Sequence, residues 1–526
     1  MHNKYSKALF FVSSALLASL AMDYPHTLWF FLFIFLIPVL YYVDTQSLTF
    51  SKKKDLTTAF CYMFLFGFVF TICSTYWFLA TYPLDWMGIY SSTLSIVIIG
   101  GIWSCFGIAM GLPIAMWIYI AHVFKKLPPL TSALTGASGW VVLEYVRSWL
   151  VAIAIYSPEA LFGPHHTYYS LAYPISSAPE LKELVPVGGM YLTSFAVILI
   201  NYFIYHTIRT YLSKDRSSVR SLTSLGVLIS CIIVVCASGM YAIRQTNLTS
   251  TTFLTSIITT NLPSGTKPEV RKEVSFAAAN SVPDENAVII LPENINVLTP
   301  PQEKELQENT LSHNKHLIIG SFSGEKFATM YFLNPQDGNV KLFGKRLLMP
   351  VGEYNISWVR FLLEKIQGPE WVKNYEKLLH ISNKKNDTFI YQDTLNTDVR
   401  IAGTLCSENI SPYIYRDSTK LGATVFVNLA SHAPFRGSPL LLRQTMAISA
   451  TRALENGRYY VTSSNATKSF VITDQGNIQN LSDSKEVYSH FDTYIPTKDY
   501  TTPYVLYGDY FVIVSFAVLV LAFLWL

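Results

Sequence analysis

The apolar positions of this chain follow two regimes. Up to about residue 245 they fall in long runs, at 8–22, 27–43, 58–80, 92–122, 133–156, 185–206 and 223–243, and an eighth run closes the chain at 507–526. A helix that crosses a bilayer core needs roughly 20 mostly apolar residues, so each run reads as a membrane span. The first is short, but no small-x-small cleavage site follows it, which sets it apart from a secretory leader. Between 246 and 500 the pattern changes to short β-branched runs alternating with stretches of helical period. Phe253–Thr259, Ala287–Leu291, Leu317–Phe322, Ala328–Leu333, Val399–Leu405, Thr424–Asn428, Tyr459–Ser463 and Ser469–Thr473 read as strands. Pro268–Asn280, Pro301–His313, Trp358–Ile366, Trp371–Leu379, Tyr413–Leu421 and Leu440–Asn456 read as helices, the last closed by Gly457. Turns are expected at Asn334–Gly338 and Asp474–Gly476. The alternation predicts a layered α/β domain over 246–500, between a seven-span helical domain at 1–245 and a carboxyl-terminal span at 501–526.

Composition agrees: of 526 residues 51% are hydrophobic and 14% charged, well below the roughly 25% charged residues of soluble domains. The positive charges then orient the spans, because cytoplasmic loops are enriched in Lys and Arg. Lys4 and Lys7 precede the first run, Lys52, Lys53 and Lys54 follow the second, Lys125 and Lys126 the fourth, and Arg209, Lys214, Arg216 and Arg220 the sixth. The alternate loops are poor in them: 23–26 holds Asp23, 81–91 holds Asp85, and in 157–184 Lys182 is set against Glu159, Glu180 and Glu183. The alternation holds only if 92–122 is a single crossing, tilted or kinked at Pro113. The expected architecture is therefore an eight-span α-helical membrane bundle with both termini cytoplasmic and the α/β domain outside. Basic residues cluster in the cytoplasmic loops, which argues against a nucleic-acid partner. The domain's histidines have no ligand spacing with cysteines or carboxylates, so no metal is expected.

Chemistry concentrates at three strand ends. Five of the six cysteines lie in apolar runs, whereas Cys406 stands alone in the α/β domain, where a strand runs into Ser407-Glu408-Asn409 and a helix. An unpaired cysteine on the oxidising side of a membrane is either buried structure or a reactive thiol. A thiol nucleophile needs a base and a positive group for the oxyanion. Glu293 follows the apolar strand Val288–Leu291, and Lys345 precedes a Pro350-Val351-Gly352-Glu353 turn. In the fifth run, Glu144 and Arg147 share a helical face; they read either as an internal ion pair or as placing Arg147 toward an anion at the outer interface, beside the Pro-, His- and Tyr-rich loop 157–184. After Tyr354, Trp358, Phe361 and Leu362 share a face, suited to core packing or to resting on a bilayer.

Glu293, Lys345 and Cys406, in that order and each at a strand end, resemble the nitrilase superfamily. With seven spans before the domain and one after, the chain resembles the apolipoprotein N-acyltransferases, a membrane-embedded branch with an αββα sandwich. The resemblance also rests on Trp140–Trp149, Pro186-Val187-Gly188-Gly189, Asn261-Leu262-Pro263, Lys345–Tyr354 and Arg452–Arg458. It implies Glu293 as general base, Lys345 as stabiliser of the tetrahedral intermediate, Cys406 as nucleophile, and Glu353 and Glu408 as supporting residues. It further implies a cofactor-free, ping-pong reaction: an acyl group passes from a phospholipid to Cys406 as a thioester, then to the amine of a diacylglyceryl-cysteine lipoprotein. Arg147, Trp358 and Phe361 are the expected substrate contacts, and the expected setting is a monomer in a bacterial cytoplasmic membrane. The chain departs from the family at Ser407, where an aromatic residue is usual. It also lacks the usual Trp in Ser431-His432-Ala433-Pro434-Phe435 and the one expected after Pro263. Two other readings stay open: a membrane-tethered amidase, with water in place of the amine, and a non-catalytic binding module.

Overall fold

The computed structural model describes residues 2–46, 53–87, 89–213, 219–245, 251–283, 288–293, 316–323, 328–334, 340–350, 352–376, 390–393, 396–482 and 486–525. Every apolar run of the first half is helical there: α1 (His2–Asp23), α2 (Ile37–Thr45), α3 (Lys53–Ser74), α4 (Ser92–Phe124), α5 (Pro129–Ala154), α6 (Val185–Ser213) and α7 (Val219–Gln245). Four stretches, Lys54–Ser74, Ser92–Phe124, Leu181–Ser213 and Val219–Gln245, are long and apolar enough to cross a membrane by length and composition. α4 runs unbroken through Pro113 for 33 residues, about 50 Å at 1.5 Å per residue. α6 is broken near its head at Gly188 and Gly189, and Gly189 has φ +63°. A β-carbon on Gly189 would lie 2.6 Å from the Tyr504 ring, so both the left-handed backbone and the close approach require glycine.

Among the described residues the second half forms a sheet of twelve strands: β1 (Thr252–Thr260), β2 (Val288–Ile290), β3 (Leu317–Ser323), β4 (Ala328–Leu333), β5 (Val340–Gly344), β6 (Ile390–Gln392), β7 (Arg400–Leu405), β8 (Val425–Ser431), β9 (Tyr459–Asn465), β10 (Phe470–Ile472), β11 (Ile478–Leu481) and β12 (Tyr488–Pro496). The order β5-β4-β3-β2-β1-β9-β8-β7-β6 is joined at its middle by the single bridge Thr260↔Asn465. It therefore behaves as two half-sheets, each with a parallel centre. Period-two alternation sorts the side chains into layers. Ile257, Ile290 and Ile319 of one half share a core with Ile401, Val427 and Val461 of the other. The intervening Ile258, Ile289 and Ile318 pack on α8 (Pro268–Ser281). On the other side Ala402, Phe426 and Tyr460 pack against α11 (Pro412–Lys420) and α12 (Pro439–Asn456). The result is helix–sheet–sheet–helix, with the half-sheets so close at Gly403 that a β-carbon there would meet the Met330 sulfur at 2.1 Å. α9 (Ser357–Gln367) and α10 (Pro369–Glu376) follow the Lys345 segment.

Several expectations need amendment. β5, β6, β11 and β12 are strands that periodicity did not single out. β12 is polar at Ser489, His490, Asp492 and Thr493, yet it pairs with β1 over its whole length. The expected helix 301–313, residue 287 and most of the turn 334–338 lie outside the described residues. The last span begins later than expected: α13 (Pro503–Tyr507) ends at Gly508, φ +62°, and the apolar helix α14 is Tyr510–Leu524. Its head is tied to the α/β half, because the Tyr413 hydroxyl donates to Asp509 Oδ2 at 2.6 Å.

Candidate active site

Glu293, Lys345 and Cys406 come together. Pro292 cannot continue a strand ladder, so β2 ends and the chain turns out with Glu293. β5 ends at Gly344, and the Lys345 amide donates to the Ala328 carbonyl at 2.7 Å. β7 ends at Leu405, and Cys406 follows with φ +40°, a left-handed conformation that costs a non-glycine residue about 1–2 kcal/mol. That kink turns the chain out of the strand and presents the thiol at the carboxyl end of a parallel strand, where α/β proteins bind ligands.

Lys345 Nζ lies 2.9 Å from Glu353 Oε1 and 3.4 Å from Glu293 Oε1. Glu293 and Cys406 lie within electrostatic reach of each other, and Lys345 of both. The ammonium, 1% exposed at the side chain, is thus flanked by two carboxylates. Glu353 is fixed in turn by the Met349 amide, which donates to Oε2 at 2.7 Å. Glu408 cross-ties the lysine and cysteine turns: Oε1 accepts from the Arg346 and Leu347 amides at 2.9 and 3.3 Å, and Oε2 from the Leu405 amide at 2.8 Å. Ser407, at the position of the family's aromatic residue, donates its hydroxyl to the Leu347 carbonyl at 2.8 Å. It therefore braces the same pair of turns.

Burial controls the electrostatics. It pushes the Cys406 thiol up to about 12; Glu293 adds to the rise, while Lys345 and a Ser431 backbone hydrogen bond oppose it. Glu293 is also raised, by burial first, with Lys345 lowering it and Glu353 raising it. Burial alone would lower Lys345, but Glu353 and then Glu293 hold it well above the ordinary lysine range. The resting site is therefore a protonated thiol beside a permanently charged ammonium.

The remaining expected residues sit around this centre. Trp358 is 52% and Phe361 58% exposed. The Trp358 indole donates to the Ala154 carbonyl at 2.9 Å, the Ser357 amide to Tyr156 at 2.9 Å, and the Tyr354 hydroxyl to Ile155 at 2.9 Å. The start of α9 is thereby moored to the end of α5. Arg147 is 3% exposed; its guanidinium donates to the Tyr168 carbonyl at 2.8 Å and lies 4.0 Å from Glu144. Sequence reasoning did not single out the 165–173 segment, which reaches the site from the helical half. Its signal was only the His- and Tyr-rich composition of the loop. Among the described residues no group of His, Cys, Asp and Glu has the form of a metal site.

Residues 14–203 match the apolipoprotein N-acyltransferase N-terminal domain. The chain is 23% identical over 518 residues to the apolipoprotein N-acyltransferase of Rickettsia prowazekii, covering 93% of this chain and 94% of that one. It is 24% identical over 496 residues to that of Rickettsia typhi, covering 89% of each. Among solved structures, a variant of a Nesterenkonia amidase of the nitrilase superfamily aligns with 50% of this chain and 97% of its own, at 12% identity and a TM-score of 0.34. Matched in its amino-terminal domain and aligned over most of its length, this chain is similar to the apolipoprotein N-acyltransferases.

Proposed function

We propose that this protein is a membrane acyltransferase that carries a fatty acyl group on Cys406 between a phospholipid and the amino-terminal amine of a diacylglyceryl-cysteine lipoprotein. The observation that carries this reading is the junction of Glu293, Lys345 and Cys406 from three strand ends around one buried ammonium. A thiol held near 12 supplies almost no thiolate at neutral pH, so its proton leaves as sulfur attacks the ester carbonyl. Glu293 receives that proton, and Lys345 stabilises the oxyanion. Collapse expels the lysophospholipid alkoxide, which takes the proton from Glu293 and leaves a thioester. The lipoprotein amine then attacks the thioester carbonyl, giving a proton to Glu293. Collapse of this second intermediate breaks the carbon–sulfur bond, and the proton returns to Cys406. Glu353 and Glu408 hold Lys345 and the two turns in place.

The exposed face of Trp358 and Phe361 supports a role in admitting lipid from a bilayer. Arg147 serves the same side through the Tyr168 carbonyl. The loop charges support eight spans with the α/β domain extracytoplasmic and both termini cytoplasmic, in a bacterial cytoplasmic membrane. The test is direct. Incubated with labelled phospholipid vesicles, the wild type should acquire a hydroxylamine-sensitive label that passes to a diacylglyceryl lipopeptide, and Cys406→Ala should acquire none. Label lost to water but never to the lipopeptide would identify an amidase-type hydrolase. An unlabelled wild type would leave a binding module and overturn the proposal.

A further inference from the structure

Residues 165–173 run from the helical half to the turn that follows Cys406, where several of their side chains are fixed. His165 Nδ1 is hydrogen-bonded at 2.8 Å to Ser411 Oγ, which also accepts from the Ile414 amide at the head of α11. The Thr167 hydroxyl donates to the Ile410 carbonyl at 2.6 Å and contacts the Tyr173 hydroxyl at 2.6 Å. The Tyr168 ring packs on the cluster that contains Leu347, Ile410 and Ile414, the residues that flank the lysine and cysteine turns. It stacks on His166, is met edge-on by Phe106 of α4 at 5.5 Å between ring centres, and lies within electrostatic range of Cys406. Two devices hold it: the Arg147 guanidinium on its carbonyl, and a left-handed turn at the next residue. Tyr169 has φ +58°, with its ring buried against Phe70 and Phe106. A bulky residue stays in that conformation only where its surroundings over-determine it.

We propose that Tyr168 is a positioning residue for the Cys406 thiol, its ring serving as a wall of the thiol site that is supplied by the helical half and held by Arg147 and the Tyr169 turn. This rests on the reading of Cys406 as the acyl carrier. The wall keeps water off one side of the sulfur, so the thiol stays protonated until Glu293 takes the proton during attack. It also makes the reactivity of an α/β-domain residue depend on the packing of α4 and α5.

The test follows alkylation of Cys406 by iodoacetamide between pH 7 and 11 in the full chain in detergent, read by mass spectrometry of the Cys406 peptide because five other cysteines are free. Tyr168→Ala should shift the profile toward acid by about one pH unit, making alkylation about tenfold faster at a given pH below the plateau. Tyr168→Phe keeps the ring and should match the wild type. Phe106→Ala, which removes the support behind the ring, should shift the profile the same way by less. An unchanged profile in Tyr168→Ala overturns the proposal, as does a shift in Tyr168→Phe as large as in Tyr168→Ala, which would assign the effect to the hydroxyl. Should Tyr168→Ala fail to fold, an unchanged profile in Phe106→Ala overturns it. If instead the acyl-carrier reading is what fails, phospholipid leaves the wild type unlabelled while the alkylation contrast persists.

Discussion

The Glu293–Lys345–Glu353 cluster and the Arg452–Glu455 pair both bury charge, yet they are built for different ends: the Glu353 side chain keeps 19% exposure, whereas the second pair is sealed. Arg452 Nη1 lies 2.8 Å from Glu455 Oε2, both side chains are 0% exposed, and both come from one turn of α12. Their surroundings are drawn from several elements: the Tyr173 ring sits 5.9 Å from the guanidinium, and the Thr502 hydroxyl donates to the Glu455 carbonyl. One cation meets one carboxylate, at the seam where α12, α6 and the carboxyl-terminal segment join. At Lys345 one cation meets two carboxylates, one just after a strand end and one from the turn that follows the lysine, and the backbone of the nearby thiol is strained. Buried charge by itself therefore marks registry between elements. A surplus carboxylate, a strained nucleophile and access from outside mark chemistry.

The strongest way to break that comparison is Lys345→Met. It removes the cation that bridges Glu293 and Glu353 and the donor for the oxyanion, and should lower acyl transfer about 10³-fold in a protein that still melts cooperatively. A loss under about tenfold would refute the oxyanion role. Arg452→Met should do the reverse. Leaving Glu455 buried without its partner costs about 3 kcal/mol, seen as a lower melting temperature, while transfer per folded molecule changes at most about threefold. Proton linkage sharpens this. Burial raises Glu455 from 4.5 to about 7, with Arg452 opposing, so the folded protein keeps a proton that the unfolded chain releases. That contribution to stability is complete below about pH 4.5 and is lost as pH rises to about 7. Melting temperatures should therefore move in favour of Glu455→Gln over wild type between pH 5 and 8, and a pH-independent difference would contradict the assignment.

A smaller effect separates the supporting carboxylate from the reacting one. Glu408 accepts from amides of two turns with its two oxygens, and Glu408→Gln has one acceptor for both. The loss of about 1–2 kcal/mol of hydrogen bonding should appear as roughly tenfold in kcat, with KM held. An unchanged kcat would mean that the turns hold without it.

This division also shows what the sequence reveals. The long apolar runs became helices with shifted ends, the 27–43 run only in part, because hydropathy over 20 positions leaves few alternatives. Glu293, Lys345 and Cys406 were legible because strand ends project side chains toward one rim. The bonds made by Glu408 were not, since two of its donors lie some sixty residues earlier and are main-chain atoms that any sequence supplies. Tyr168 was hidden for a related reason: a loop has no period, so only composition flagged it. Arg452 and Glu455 are visible as an i,i+3 pair, but their burial is decided by α6 and the 502–504 segment, far off in sequence. β12 was missed because a polar strand covering an edge looks like a loop.

The mildest prediction concerns access, the feature that the Arg452–Glu455 pair lacks. α9 leaves the Lys345 segment a few residues after Glu353 and is moored to the end of α5 through Trp358, Ser357 and Tyr354, while Phe361 and Leu362 on the same helix stay about half exposed. If that face meets the bilayer, its contribution is the transfer of one aromatic side chain into lipid, on the order of 1 kcal/mol for a partly buried ring. Phe361→Ser should then lower the rate with vesicle-borne phospholipid by about fivefold. It should leave unchanged the rate with a short-chain donor dispersed in detergent, and the melting temperature, since the ring packs little within the protein. Equal losses with both donors would place Phe361 in the fold or the acyl site instead. No loss with either would close α9 to lipid, leaving the thiol site to be reached from another side.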